Sequence, residues 1–234
     1  MVLPHTAKSE QAPAVVIFSQ KKPAFASRLA AFSLIEVVAV IAVLVTLMTA
    51  GVSLLNNTGT QARKSAADTF IGLVEQARTR AITSRCHVVL AIVAPADLPN
   101  GDDRCRVGMF KVKEWPDNST LLEGELSNRW QALNRGVILS GGDISGLVNP
   151  IDQSKITITY GGAKKLTVSA HVIAFNSRGG LHYPFGSTSI IVRLAEGGYR
   201  NGIATPNQRG PNKTVSENLL KIGRVTARPY RIDR

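Results

Sequence analysis

The chain has 234 residues, with 28 Lys and Arg against 16 Asp and Glu and a formal charge of +12. That length holds one compact core with appendages and leaves no room for several large domains. The positive balance brings forward nucleic acid or an anionic surface as a partner and says nothing of fold.

Residues 1–31 contain Pro4, Pro13 and Pro23, show no sustained periodicity, and set Lys8, Lys21, Lys22 and Arg28 against Glu10. They read as a basic, disposable leader. Behind them stands Phe32-Ser33-Leu34-Ile35-Glu36, followed by an uncharged, mostly apolar run over residues 37–55. Residues 32–55 therefore read as one bilayer-crossing helix, which needs about 20 apolar residues. Cations ahead of the span favour a cytoplasmic N-terminus, so the C-terminal bulk is expected outside, in the periplasm. Glu36 is the oddity, because a carboxylate in a membrane segment costs several kcal/mol unless it finds a partner. A cut between Ala31 and Phe32 would create an α-amino group four residues before Glu36. A neighbouring copy could offer that amine to the carboxylate.

Ala31-Phe32-Ser33-Leu34-Ile35-Glu36 before an apolar run resembles the class III signal of type IV prepilins and pseudopilins. The resemblance implies that a prepilin peptidase cuts between Ala31 and Phe32 and N-methylates Phe32. It also implies that Glu36 pairs with the N-terminus of an adjacent subunit as the filament assembles in the inner membrane. The family usually has Gly where this chain has Ala31. Two plainer readings stand beside it: a signal anchor with an incidental Glu, or a secretory signal ending near Thr49-Ala50-Gly51.

Asn56-Asn57-Thr58-Gly59 then interrupts the apolar run, as an exit from the membrane or as a soft point in a longer helix. From Arg63 onward Ala66, Phe70, Leu73, Val74, Ala77 and Ala81 recur at steps of three and four, which predicts an amphipathic helix ending near Ser84. The β-branched run His87-Val88-Val89-Leu90-Ala91-Ile92-Val93 predicts a strand, and residues 106–113 a second one across a polar turn at residues 99–103. Further strands are predicted at residues 136–139, 155–160, 166–175 and 189–194, with a last one at 218–225. The pairs Gly141-Gly142, Gly161-Gly162, Gly179-Gly180 and Gly197-Gly198 read as breaks, residues 200–214 as loop, and the end as a basic tail. The fold expected is α+β: a long N-terminal helix packed on an antiparallel sheet, with an exported domain over residues 60–234.

The stretch Leu73-Val74-Glu75-Gln76-Ala77-Arg78-Thr79-Arg80-Ala81-Ile82 leading into Val88-Val89-Leu90 resembles the GspH/FimT family of minor pseudopilins. Ile173-Ala174-Phe175-Asn176-Ser177-Arg178-Gly179-Gly180 is similar to that family's strand and turn. Val225-Thr226-Ala227-Arg228-Pro229-Tyr230-Arg231 is similar to its closing element, with Ala227 where Gly is expected. Residues 130–139 and this ending look like the prepilin-type D proteins of the Verrucomicrobia Verru_Chthon cassettes. The resemblance implies a pilin-like fold and a non-enzymatic subunit whose partners are the prepilin peptidase and other pilins or pseudopilins.

Chemistry is thin elsewhere. His5, His87, His171 and His182 show no zinc-site spacing, no residue falls in a nucleophile motif, and no phosphate-binding Gly loop occurs. No catalytic residue, metal ligand or cofactor is therefore assigned. His171 reads as a satisfied sheet residue and Asp102-Asp103 as a solvated turn. Cys86 and Cys105 are the only cysteines. An oxidising compartment allows a bond between them, although a simple hairpin would not set them face to face. Arg224, Arg228, Arg231 and Arg234, with Lys221 and Tyr230, leave two readings open. One is a DNA-binding tail, as the resemblance implies for some relatives; the other is a charged edge strand that resists aggregation.

Overall fold

The structure, a computed structural model, describes residues 33–98, 102–116, 120–142, 144 and 146–232, with the side chains of residues 49–58 left undescribed. Helix α1 runs Leu34–Ser84. Its backbone stays helical through residues 56–59, where the sequence suggests an interruption. Asn, Thr and Gly each cost a helix only up to about 1 kcal/mol against Ala, and no proline stands between Phe32 and Ala94 to break it. The predicted stripe is the buried face of the second half of α1: Ala66, Phe70, Leu73, Val74, Ala77 and Ala81 are all at most 5% exposed, and Ala67 is buried beside them.

The strands are β1 His87–Val93, β2 Arg106–Val112, β3 Leu121–Glu123, β4 Glu125–Leu126, β5 Gln131–Ala132, β6 Val137–Ser140, β7 Ile156–Tyr160 and β8 Leu166–Phe175. They continue as β9 Leu181–Tyr183, β10 Ile190–Arg200, β11 Ile203–Pro206, β12 Gln208–Arg209, β13 Thr214–Val215, β14 Glu217–Ile222 and β15 Pro229–Ile232. Among the described residues they form three sheets instead of one. The first has the order β3-β7-β8-β1-β2-β4, and its β3–β7 pair is parallel, a departure from the all-antiparallel expectation.

This first sheet closes on itself. Its two outermost strands, β3 and β4, are one stretch of chain separated only by Gly124, whose N–H donates to Thr159 O at 3.0 Å. A Cβ at Gly124 would crowd Lys111 O at 3.2 Å, so a larger residue at the crossing would push its neighbours apart by a few tenths of an ångström. Period-two alternation then sorts the strands into two cores. Val89, Ala91, Val93, Phe110, Val112, Ile158, Val168 and Val172 belong to one cluster. Val88, Leu90, Ile92, Val107, Met109, Ile173 and Phe175 join the stripe of α1 in the other.

The second sheet places β10 between β6 and β14, with β15 beyond β14. Leu139, Ile190, Val192, Leu194, Leu220 and Ile222 supply its contribution to the core around α1. Three expectations change in this sheet. Gly197-Gly198 lies inside β10, because a Cβ on Gly197 would stand 2.3 Å from Thr205 O and 2.8 Å from Ile138. Residues 200–214 carry β11 and β12, which pair with β10 and β13. The last predicted strand stops at Ile222, and the basic end is not a free tail: β15 pairs with β14 in the register Lys221↔Tyr230. Ala227, where the resembled family has Gly, adopts a left-handed φ of 48° between these strands and is fully buried.

Trp130 lies over the backbone of Gly108 and meets the Phe110 ring edge-on at 5.6 Å between centroids. A Cβ at Gly108 would fall 2.6 Å from the Trp130 ring. Gly108→Ala should therefore destabilise the fold by about 1–3 kcal/mol, the usual cost of overpacking. Chemical denaturation followed by tryptophan fluorescence measures this, and an unchanged midpoint would contradict the packing described.

Candidate functional site

Ala31 and Phe32 lie outside the described residues. The first described residues carry a feature of the resembled signal that its spacing already contained. The Ser33 N–H donates to Glu36 Oε2 at 3.4 Å, and the Glu36 N–H donates to Ser33 Oγ at 3.3 Å. This reciprocal pair is a capping box, in which Ser and a Glu three residues later satisfy donors that the first helical turn leaves open. The carboxylate also sits at the positive end of the helix dipole. Glu36 is exposed there, at the mouth of α1.

Around and beyond it, every Leu, Ile, Val and Met of residues 34–48 is at least 46% exposed. These side chains leave no polar face: positions 34, 35, 37, 40, 41 and 43 together go round the whole circumference of a helix with 3.6 residues per turn. Thr46, within the run, donates its hydroxyl to Val43 O at 2.8 Å. A helix apolar all round requires apolar surroundings on all sides. Among the described residues no helix is long and apolar enough to cross a membrane. The predicted span of residues 32–55 includes Phe32 and side chains that lie outside the description.

Within residues 60–234, Glu196 is a buried carboxylate that sequence reading missed, since it precedes what looked like a glycine break. It is 2% exposed and faces α1 from β10. Arg63 of α1 reaches its Oε1 at 3.2 Å, and Arg209 of β12 reaches its Oε2 at 2.6 Å. Gly59 leaves room for the group, because a Cβ there would lie 3.2 Å from the carboxyl carbon. One carboxylate thus ties a helix turn, a central strand and the β12–β13 hairpin together.

The C-terminal arginines do not act as one free group. Arg224 turns inward, donating from Nε to Thr188 O at 2.9 Å and from Nη1 to Pro184 O at 2.6 Å. Burial lowers its pKa from the ordinary arginine value. Arg231 joins β15 to α1 through Lys64 O and the Asp68 carboxylate. Arg228 is exposed, Arg234 lies outside the described residues, and Lys221 sits 5.9 Å above the Tyr230 ring.

Cys86 and Cys105 are free thiols flanking opposite ends of the β1–β2 ladder, whose register runs from His87↔Val112 to Val93↔Arg106. The bond considered for them needs Cα atoms within about 7 Å, and six residue steps of about 3.3 Å separate the two ends. Burial pushes the Cys105 thiol up to about 12, which makes it unreactive. His171 Nδ1 meets Gln153 O at 3.0 Å, as a satisfied sheet residue does. Asp102 pairs with Arg104 and Arg106, and the Arg104 hydrogen bond leads in bringing its pKa down to about 2. The sheet brings His87 and His182 to 4.6 Å between ring centroids, with Trp115 4.8 Å from His182, although they are far apart in sequence. Burial lowers the pKa of both histidines. Among the described residues no group of three or more His, Cys, Asp or Glu is placed to hold a metal ion.

No protein-family model matches the chain, and no curated protein matches it. The crystal structure of the type IV minor pilin FimU from Pseudomonas aeruginosa strain PAO1 is similar over 75% of this chain and 92% of that chain. Its identity is 12% and its TM-score 0.33, too little to transfer any residue's role.

The Glu196 node makes a graded expectation. Glu196→Ala leaves Arg63 unpaired with its side chain only 12% exposed, and removing one partner of a buried pair costs about 3–5 kcal/mol. Arg209→Ala removes a half-exposed partner while Arg63 remains, so its cost should be about 1 kcal/mol or less. Denaturation midpoints check the order; equal losses would contradict it.

Proposed function

We propose that this chain is a minor pilin or pseudopilin subunit of a type IV pilus-like or type II secretion filament. The observation that carries the proposal is the fully apolar, exposed circumference of residues 34–48, headed by Glu36. In the membrane, residues 32–55 span the bilayer with the leader in the cytoplasm and residues 60–234 in the periplasm. Prepilin peptidase cuts between Ala31 and Phe32 and N-methylates the new amine. In the filament, neighbouring α1 helices replace lipid around the apolar circumference.

Glu36 then changes partner. In the lone chain its carboxylate serves Ser33, a cap worth about 1 kcal/mol. A neighbour's Phe32 amine brings a full opposite charge, worth about 4 kcal/mol at 4 Å and an effective dielectric of about 20. That is the same order as the cost of a carboxylate in a membrane segment, several kcal/mol. The C-terminal arginines give less to a DNA-capturing reading, since Arg224 and Arg231 already hold Pro184, Thr188, Lys64 and Asp68.

Two variants separate the charge from the cap. Gln serves the capping box as Glu does, so Glu36→Gln keeps the cap and removes the charge, whereas Glu36→Ala removes both. Both should lower incorporation into sheared filaments at least several-fold, measured by immunoblot of filament against membrane fractions. Normal incorporation of Glu36→Gln would sink the charge-pairing role.

A further inference from the structure

The first turns of α1 beyond the apolar run carry a concentration of cations that the filament reading does not use. Arg209 reaches the turn at residues 59–63 through Glu196, and Arg231 reaches the next turn through Lys64 O and Asp68. Lys64 is exposed on the helix itself, and Lys213 is exposed in the tip of the β12–β13 hairpin that carries Arg209. Five cations, Arg63, Lys64, Arg209, Lys213 and Arg231, here meet two carboxylates, Glu196 and Asp68. Glu196 is buried and already answered by Arg63, so the outward balance is positive.

Helix geometry sets the level of this collar. At 1.5 Å per residue, Gly59 stands about 6 Å past Leu55 and Lys64 about 13 Å past it. The headgroup layer outside the hydrocarbon core is about 5–8 Å thick on each side. Beyond it, charges act over a screening length of about 8–10 Å. Arg209 therefore falls at the phosphate level, and Lys64, Lys213 and Arg231 fall within one screening length of it.

We infer that Lys64 and Lys213, beside the ion-paired Arg209 and Arg231, form a contact for anionic lipid headgroups, which seats the exported domain on the outer leaflet before assembly. This rests on residues 32–55 spanning the bilayer. Each such cation is drawn to an anionic surface, and the attraction fades within a screening length. The contact is electrostatic, so it releases readily when the subunit leaves the membrane for a filament. Arg209 and Arg231 are held in place by their carboxylates, while Lys64 and Lys213 are left to meet the phosphates.

The test uses the full chain reconstituted into vesicles of phosphatidylcholine alone or with one third phosphatidylglycerol. Flotation of the chain with the neutral vesicles checks the membrane span by itself. Failure to float with either vesicle overturns the span and this contact with it. For the floated chain, amide hydrogen exchange is followed in residues 208–215 and 229–232. Exchange should slow several-fold in the anionic vesicles. Protection should vanish when salt rises from about 0.1 M to about 1 M, which shortens screening from about 10 Å to about 3 Å. It should vanish equally in the Lys64→Gln/Lys213→Gln variant, which leaves the Glu196 node intact. Equal exchange in both lipids overturns the contact while leaving the span standing, and so does protection that survives the double substitution. Protection by added duplex DNA over neutral vesicles, with none from anionic lipid, overturns the choice of lipid as partner.

Discussion

Between residues 66 and 81 the stripe of α1 closes the main core, and between residues 34 and 48 the same helix presents apolar side chains on every side. One continuous helix thus has to satisfy two different surroundings. Burial of a single side chain such as Phe70 contributes about 1.5–3 kcal/mol, and the folded domain supplies that to the second half alone. The first half gains nothing comparable in water. The demand it leaves unmet is the physical reason for the proposal that lipid, and then other subunits, surround it. Glu36 is placed where that demand begins, with its own cap already built.

The closed sheet and the Glu196 node serve the same helix in different ways. Closure through Gly124 gives the first sheet an interior of its own, so its outer face is free to become the seat of α1. Glu196 then sets position along the helix. Apolar stripes slide on apolar faces at low cost, whereas Arg63 can meet a buried carboxylate only at one register. Such a pair adds little net stability, because desolvation offsets attraction, but half of it left alone is expensive. The hairpin with Arg209 is drawn to the same turn by the same group, which is how cations from distant parts of the chain gather beyond the apolar run.

Much of this was legible from residues. The three-and-four spacing after Arg63 marked the buried face of α1 because helical periodicity is a property of neighbouring positions. β1 and β8 were equally plain, being long, β-branched and apolar. Strands of two residues such as β4, β5 and β12 carry no such signal; their partners define them, as β2 does for β4 and β5. The closure at Gly124 and the place of Gly197 inside β10 depend on which backbones approach them, which no local pattern records. Glu196 was hidden for the same reason. The Ser33–Glu36 capping box, by contrast, stood in the sequence as S-x-x-E and was overshadowed by the signal that contains it. Cys86 and Cys105 show the converse: their presence invites a bond, and the β1–β2 register keeps them apart.

The claim that α1 lives in two surroundings has a direct test in membranes from cells making the full chain. In a background of Cys86→Ser and Cys105→Ala, the single substitutions Val43→Cys and Ser65→Cys are each exposed to a water-soluble maleimide. The account predicts labelling at position 65 and protection at position 43 until detergent is added. Equal labelling of both positions in intact membranes would contradict it.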